Sequence, residues 1–141
     1  MARIKQTDPS KRLRRVMSAS SLSGDRVQNA AGEDLGKVKE LMIDVPSTRV
    51  AYAVLSFGGV LGVGDKLFAV PFEALTLDED EKQFILNVDK TTLENAPGFD
   101  KDSWPDMADQ TWGSQIYQHY GLRPYWEEDV ETRTRYGGGG V

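Results

Sequence analysis

Between residues 36 and 86, short runs of Val, Leu, Ile and aromatic residues succeed one another with only glycines, a proline or carboxylate-rich turns between them. A parallel crossover between successive strands needs a dozen or more residues, and no gap here is long enough to hold one. Successive strands therefore pair antiparallel, in a sheet closed or nearly closed on itself. Residues 37–45 and 49–57 carry the β-branched and aromatic enrichment of strands, and a strand near Val27 and segments 66–70, 74–77 and 83–88 are expected beside them. Val45-Pro46-Ser47-Thr48 supplies the turn of one hairpin and Asp78-Glu79-Asp80-Glu81 that of another. Pro71 stops the fourth strand, and Gly24, Gly32 and Gly36 stand where hairpins need a residue tolerant of positive φ.

The strand 49–57 has no polar face. Val50, Tyr52 and Val54 alternate with Ala51, Ala53, Leu55 and Phe57, so a second apolar layer is expected outside the barrel. Either the C-terminal segment or a second subunit supplies it. Thr91 and Glu94 have capping-box spacing, which predicts a short helical turn before Pro97. Residues 97–105 read as a linker. Asp106 is a candidate N-cap for a helix reaching Tyr120, ended by Gly121 and Pro124. On that helix Trp112, Ile116 and Tyr120 share a face, with His119 on the same stripe, and the face is expected to dock on the barrel. Gly113 weakens the helix by about 1 kcal/mol relative to Ala, so packing has to hold it. Trp104, Trp112, Tyr117, Tyr120, Tyr125 and Trp126 concentrate aromatic surface after residue 100, which suits either a cap on the barrel or a docking patch.

The formal net charge of −5 hides an asymmetry. Arg3, Lys5, Lys11, Arg12, Arg14 and Arg15 against Asp8 give the first 17 residues a net of +5. The rest of the chain is acidic. A basic arm on an acidic body either seeks phosphate, as on RNA, or folds back on that body as a solubilising tail. The layout expected is a flexible arm at 1–17, a barrel at 18–96, a linker and aromatic helical segment at 97–126, and a disordered tail at 127–141. With no cysteine there are no disulfides, thiolate metal sites or Cys nucleophiles, and the expected location is the cytoplasm. The longest apolar runs, such as residues 50–55, fall far short of the roughly 20 residues of a membrane helix, and no signal peptide is expected.

Nothing in the sequence assembles a catalytic centre. Gly59 and Gly64 have P-loop separation, but Asp65 stands where the lysine should be, Lys66 stands where Ser or Thr should be, and a strand follows instead of a helix. Asp78-Glu79-Asp80-Glu81 lacks the glycine and distal glutamate of a calcium loop. His119 is the sole histidine, no G-x-S-x-G occurs, and one histidine does not build a usual metal site. No catalytic residue, metal or cofactor is expected, and the chain reads as a non-enzyme.

Leu22, Gly24, Val27 and Gly32 are followed by Gly36-Lys37-Val38, Met42-Ile43-Asp44 and Val50-Ala51-Tyr52-Ala53-Val54, then by Phe68-Ala69-Val70-Pro71-Phe72 and Ala74-Leu75. Over residues 18–88 this pattern resembles the PRC-barrel domain, a family named for the cytoplasmic domain of the photosynthetic reaction centre H subunit. The resemblance implies a small antiparallel barrel of about six strands with no shared catalytic residues, whose members act by docking. A similar domain in a ribosome-maturation factor binds a small-subunit ribosomal protein. This chain lacks the membrane helix of the one and the additional N-terminal barrel of the other, and is most similar to stand-alone bacterial members.

The reading is therefore a mainly β protein, a six-stranded antiparallel barrel with a short C-terminal helix, serving as a protein-interaction or assembly module. Its expected partner is a second copy of itself, or another protein, through Tyr52, Leu55, Phe57, Trp112, Ile116, Tyr120 and Trp126. The alternative is an RNA- or ribosome-associated adaptor that uses Lys11, Arg12, Arg14 and Arg15.

Overall fold

In chain order the elements are β1 (Arg3–Lys5), α1 (Ala19–Leu22), β2 (Arg26–Gln28), β3 (Asp34–Asp44), β4 (Arg49–Phe57), β5 (Lys66–Pro71), a 3-10 turn (Phe72–Ala74), β6 (Leu75–Asp78), β7 (Gln83–Leu86), α2 (Lys90–Glu94), β8 (Gly98–Phe99) and α3 (Gln110–His119). These come from a computed structural model, which describes residues 3–5, 16–58, 66–78 and 80–127. All six expected strands are present, and β1 and β8 add to them. Ala74 leaves its strand for the 3-10 turn that follows Pro71.

The strands form one sheet in the order β1-β6-β7-β2-β3-β4-β5-β8. Two expectations are corrected here. Among the described residues the sheet has eight strands, and no hydrogen bonds join the outermost of them, β1 and β8, so the ring is open there. It is also mixed: β2 runs parallel to β7 and β1 parallel to β6, while β2–β3, β3–β4, β4–β5, β5–β8 and β6–β7 are antiparallel. The crossover rule restricts strands that follow one another in the chain. β2 and β7 are separated by the whole run from β3 to β6, which itself serves as their connection.

The sheet curls around an apolar face that β2 to β7 share. Val27, Val38, Leu55, Val70, Leu75 and Phe84, one from each of β2 to β7, belong to one buried cluster, and α2 adds Leu93 to it. Shifts of register between Val38 and Glu40, and between Met42 and Ile43, bend β3. Gly36 sits at φ +94° where β3 lies against β4, and a Cβ there would collide with the Ser56 carbonyl. At the start of the meander, buried Asn29 satisfies its whole amide. Its Oδ1 accepts from the N–H groups of Ala31 (3.1 Å) and Glu33 (2.9 Å), while its Nδ2 donates to Glu33 Oε1 (2.7 Å) and the Val88 carbonyl (3.1 Å). One side chain thus ties the β2–β3 turn to the chain leaving β7.

The convex face of β4 and β5 is covered by the chain's own C-terminal segment. Ala51, Tyr52 and Ala69 form a second buried cluster with Ile116, Tyr117 and Tyr125. The Tyr52 ring meets Trp112 and Tyr117 at centroid distances of 5.3 and 5.7 Å, in the tilted and edge-on geometries aromatic pairs prefer. The Tyr117 hydroxyl donates to the Ala51 carbonyl at 3.0 Å and fixes α3 on the sheet.

Helix starts differ from expectation. The N-cap of α3 is Asp109, whose carboxylate accepts from Thr111 N–H at 2.8 Å, whereas Asp106 accepts from Ala108 N–H at 3.0 Å and closes only a preceding turn. Two aspartates three residues apart each offer a cap, and the chain continues as helix after the second alone. Asp89 precedes α2, so Thr91 and Glu94 lie within that helix and form no capping box. The expected linker contains β8, which pairs with β5 through Leu67↔Phe99 and Phe68↔Gly98. Three residues of the basic arm form β1; the tail beyond Glu127 and the glycine-rich segment 59–65 lie outside the described residues. No helix among the described residues is long and apolar enough to cross a membrane.

Candidate functional site

The tip of the β3–β4 hairpin and the start of α3 border a groove of about 890 Å³. Met42, Met107, Tyr125 and Trp126 give it apolar walls, and Tyr52 lies at the sheet side. Ile43 and Val45 stand on its rim at 52% and 76% exposure, among the most exposed large apolar side chains of the described residues. The register shift between Met42 and Ile43 breaks the strand's alternation just before the turn. Ile43, the residue after the shift, is exposed.

A further polar contact joins the hairpin to the C-terminal layer near its tip. Tyr125 donates a short hydrogen bond to Asp44 Oδ2. That bond holds the Asp44 carboxyl below the usual carboxylate range. Burial, and then the same carboxylate, push the Tyr125 hydroxyl up. The Arg49 guanidinium sits 5.2 Å from the centre of the Tyr125 ring, on the same wall. Burial pushes the Tyr52 hydroxyl up to about 12, with Asp44 as a further cause. The groove therefore has fixed aromatic walls and a rim that carries Asp44, Arg49 and Asp109.

The residues expected to form an interface divide between the two clusters. Leu55 is fully buried in the concave core, with Phe57 packed beside it. Tyr52 and Ile116 are buried in the convex cluster, where Trp112, Tyr120 and Trp126 pack partly exposed. Tyr52 and Trp126 also line the groove. Sequence reading missed Ile43, Val45, Met42 and Met107. Met42, Ile43 and Val45 read as ordinary strand residues until the register shift is known, and Met107 lies in a turn with no periodicity to mark it. Lys11, Arg12, Arg14 and Arg15 lie outside the described residues.

Groups capable of chemistry are dispersed. His119 Nε2 lies 2.8 Å from the Thr92 carbonyl, which can only accept, so that nitrogen carries a hydrogen and bonds α3 to α2. Among the described residues no three His, Cys, Asp or Glu side chains gather in a way that could hold a metal ion. The hydroxyls of Tyr52 and Tyr120 are buried without a hydrogen-bond partner among the described residues, within the convex aromatic layer.

Comparison with curated proteins finds no match to this chain. The PRC-barrel domain family matches residues 14–93, which take in α1 and β2 to β7 and all but the last residue of α2. That span covers more than half of the 141 residues and contains every buried residue of the concave core but Ala96, so the chain belongs to the PRC-barrel domain family.

Proposed function

We propose that the chain is a non-catalytic docking module that pairs with a second copy of itself through the groove at the β3–β4 tip. The supporting observation is an apolar protrusion beside an apolar recess: Ile43 and Val45, 52% and 76% exposed, border a groove walled by Met42, Met107, Tyr125 and Trp126. A two-fold contact requires one patch to hold both halves of its own complement. Here the rim of one copy faces the recess of the other. Aromatic and methionine side chains at the centre, with Asp44, Arg49 and Asp109 around them, follow the usual anatomy of an apolar core and polar rim.

Light scattering or sedimentation velocity at tens of micromolar tests this reading. The full chain is expected at dimer mass. Ile43→Asp with Val45→Asp places two charges in the contact and is expected to weaken association by at least about tenfold, with the thermal midpoint little changed because both side chains are exposed. A monomer mass for the unaltered chain at that concentration overturns self-association.

A further inference from the structure

A second concavity, sharing no residue with the docking groove, opens where the ends of β2, β3, β4 and β5 meet α2. Its volume of about 720 Å³ lies within the range of small-molecule sites. Four cationic side chains line it: Arg26 from β2, Lys37 from β3, Lys66 from β5 and Lys90 from α2. Two carboxylates, Asp34 and Glu94, share the lining, and Asp34 Oδ1 already accepts from Gly36 N–H at 2.9 Å. Among the described residues the lining thus carries a net of two positive charges, on a chain whose total is −5.

The convergence is a product of the fold. These four cations are spread from residue 26 to residue 90, and no ion pair among the described residues engages any of them. Two are braced by aromatic rings in the same lining. Lys66 Nζ lies 5.6 Å from the centre of Phe68, and Lys90 Nζ lies 5.8 Å from the centre of Phe57. Such contacts hold an ammonium over a ring while leaving its N–H donors available. Like charges gathered in one recess repel one another, and a multivalent anion between them relieves that repulsion while taking charge-assisted hydrogen bonds.

We infer that this cavity binds a small phosphorylated metabolite of nucleotide size that carries a diphosphate or longer phosphate chain. Arg26 supplies a planar fork for one phosphate, and Lys37, Lys66 and Lys90 supply point charges around the others. Asp34 and Glu94 border the site and select against ligands that would place a further anionic group beside them. The inference is independent of the docking reading, since the two sites share no residue.

Isothermal titration of the full chain at low salt, with inorganic pyrophosphate and with ADP as probes, tests it. Binding of either probe is expected. In Lys37→Gln with Lys90→Gln it should weaken at least about tenfold, while Lys37→Arg with Lys90→Arg retains most of it. Both altered residues are exposed, and an unchanged melting temperature verifies the fold. A parallel variant, Arg12→Gln with Arg14→Gln and Arg15→Gln, is expected to bind the probes as the unaltered chain does. Failure of both probes to bind at millimolar concentration overturns the inference. So does binding that persists in the Gln variant, or that disappears only in the arm variant. A short single-stranded RNA that binds where pyrophosphate and ADP do not overturns it in favour of nucleic acid.

Discussion

Gly113 shows how a residue that looks like a defect in its own helix is required by its neighbours. Alanine in place of an interior helical glycine ordinarily stabilises by about 1 kcal/mol. A Cβ at Gly113, however, would lie 2.5 Å from the Tyr52 hydroxyl oxygen and 2.6 Å from Trp126 Cη2, both held in the aromatic layer. Overpacking of that kind costs about 1–3 kcal/mol, so the steric loss outweighs the propensity gain. Gly113→Ala is expected to forfeit the usual gain and to lower stability by up to roughly 2 kcal/mol in chemical denaturation. An increase in stability would show that the layer yields easily. The sequence marks Gly113 as costly to the helix and assigns the compensation to packing; which side chains compensate depends on the approach of β4 and residue 126, far apart in the chain. Ile43 illustrates the opposite limit, since it stands exposed beside the groove and nothing in composition marks it.

At the scale of the element, α3 and the residues after it are a tyrosine-rich lid whose hydroxyls resist ionisation. Burial raises Tyr117 and Tyr120 well above the ordinary value of 10.0, burial and Asp44 raise Tyr125, and Tyr52 beneath them is raised to about 12. The native state therefore holds these protons more tightly than the unfolded chain does. Their contribution to stability is complete below pH 10 and is lost as pH rises beyond it. Absorbance at 295 nm is expected to show these four tyrosines ionising together, in the same step in which circular dichroism reports loss of the fold. Independent titration of the four near pH 10 would contradict their burial. The lid was legible in outline: an all-apolar β4 demanded a cover, and aromatic residues at helical spacing offered one. Its starting residue was not, because Asp106 and Asp109 are equivalent caps in sequence and only the path of the turn separates them.

Across the whole molecule, one curled sheet serves two apolar layers, and the family match at residues 14–93 takes in β2 to β7 and the concave layer except Ala96, while Ile116, Tyr117 and Tyr125 of the convex layer lie beyond it. Removal of residues 97–141 should strip the convex layer while leaving β2 to β7 intact, exposing Ala51, Tyr52 and Ala69. The shortened chain is expected to bind a hydrophobic dye and to aggregate at concentrations where the full chain does not. A dye-silent, freely soluble fragment would mean that the sheet tolerates an uncovered face. Strand number and order were partly legible: the strands β2 to β7 follow from local pattern, whereas β8 is two residues long and the β2–β7 pairing joins segments that no local signal connects. That pairing also dictates an order of events during synthesis. When β5 emerges from the ribosome, β2 to β5 can form only a meander with its apolar face bare, because the parallel neighbour of β2 begins at Gln83. The nascent chain must carry that exposed surface until β7 arrives, so its vulnerability to aggregation is greatest while it is half made.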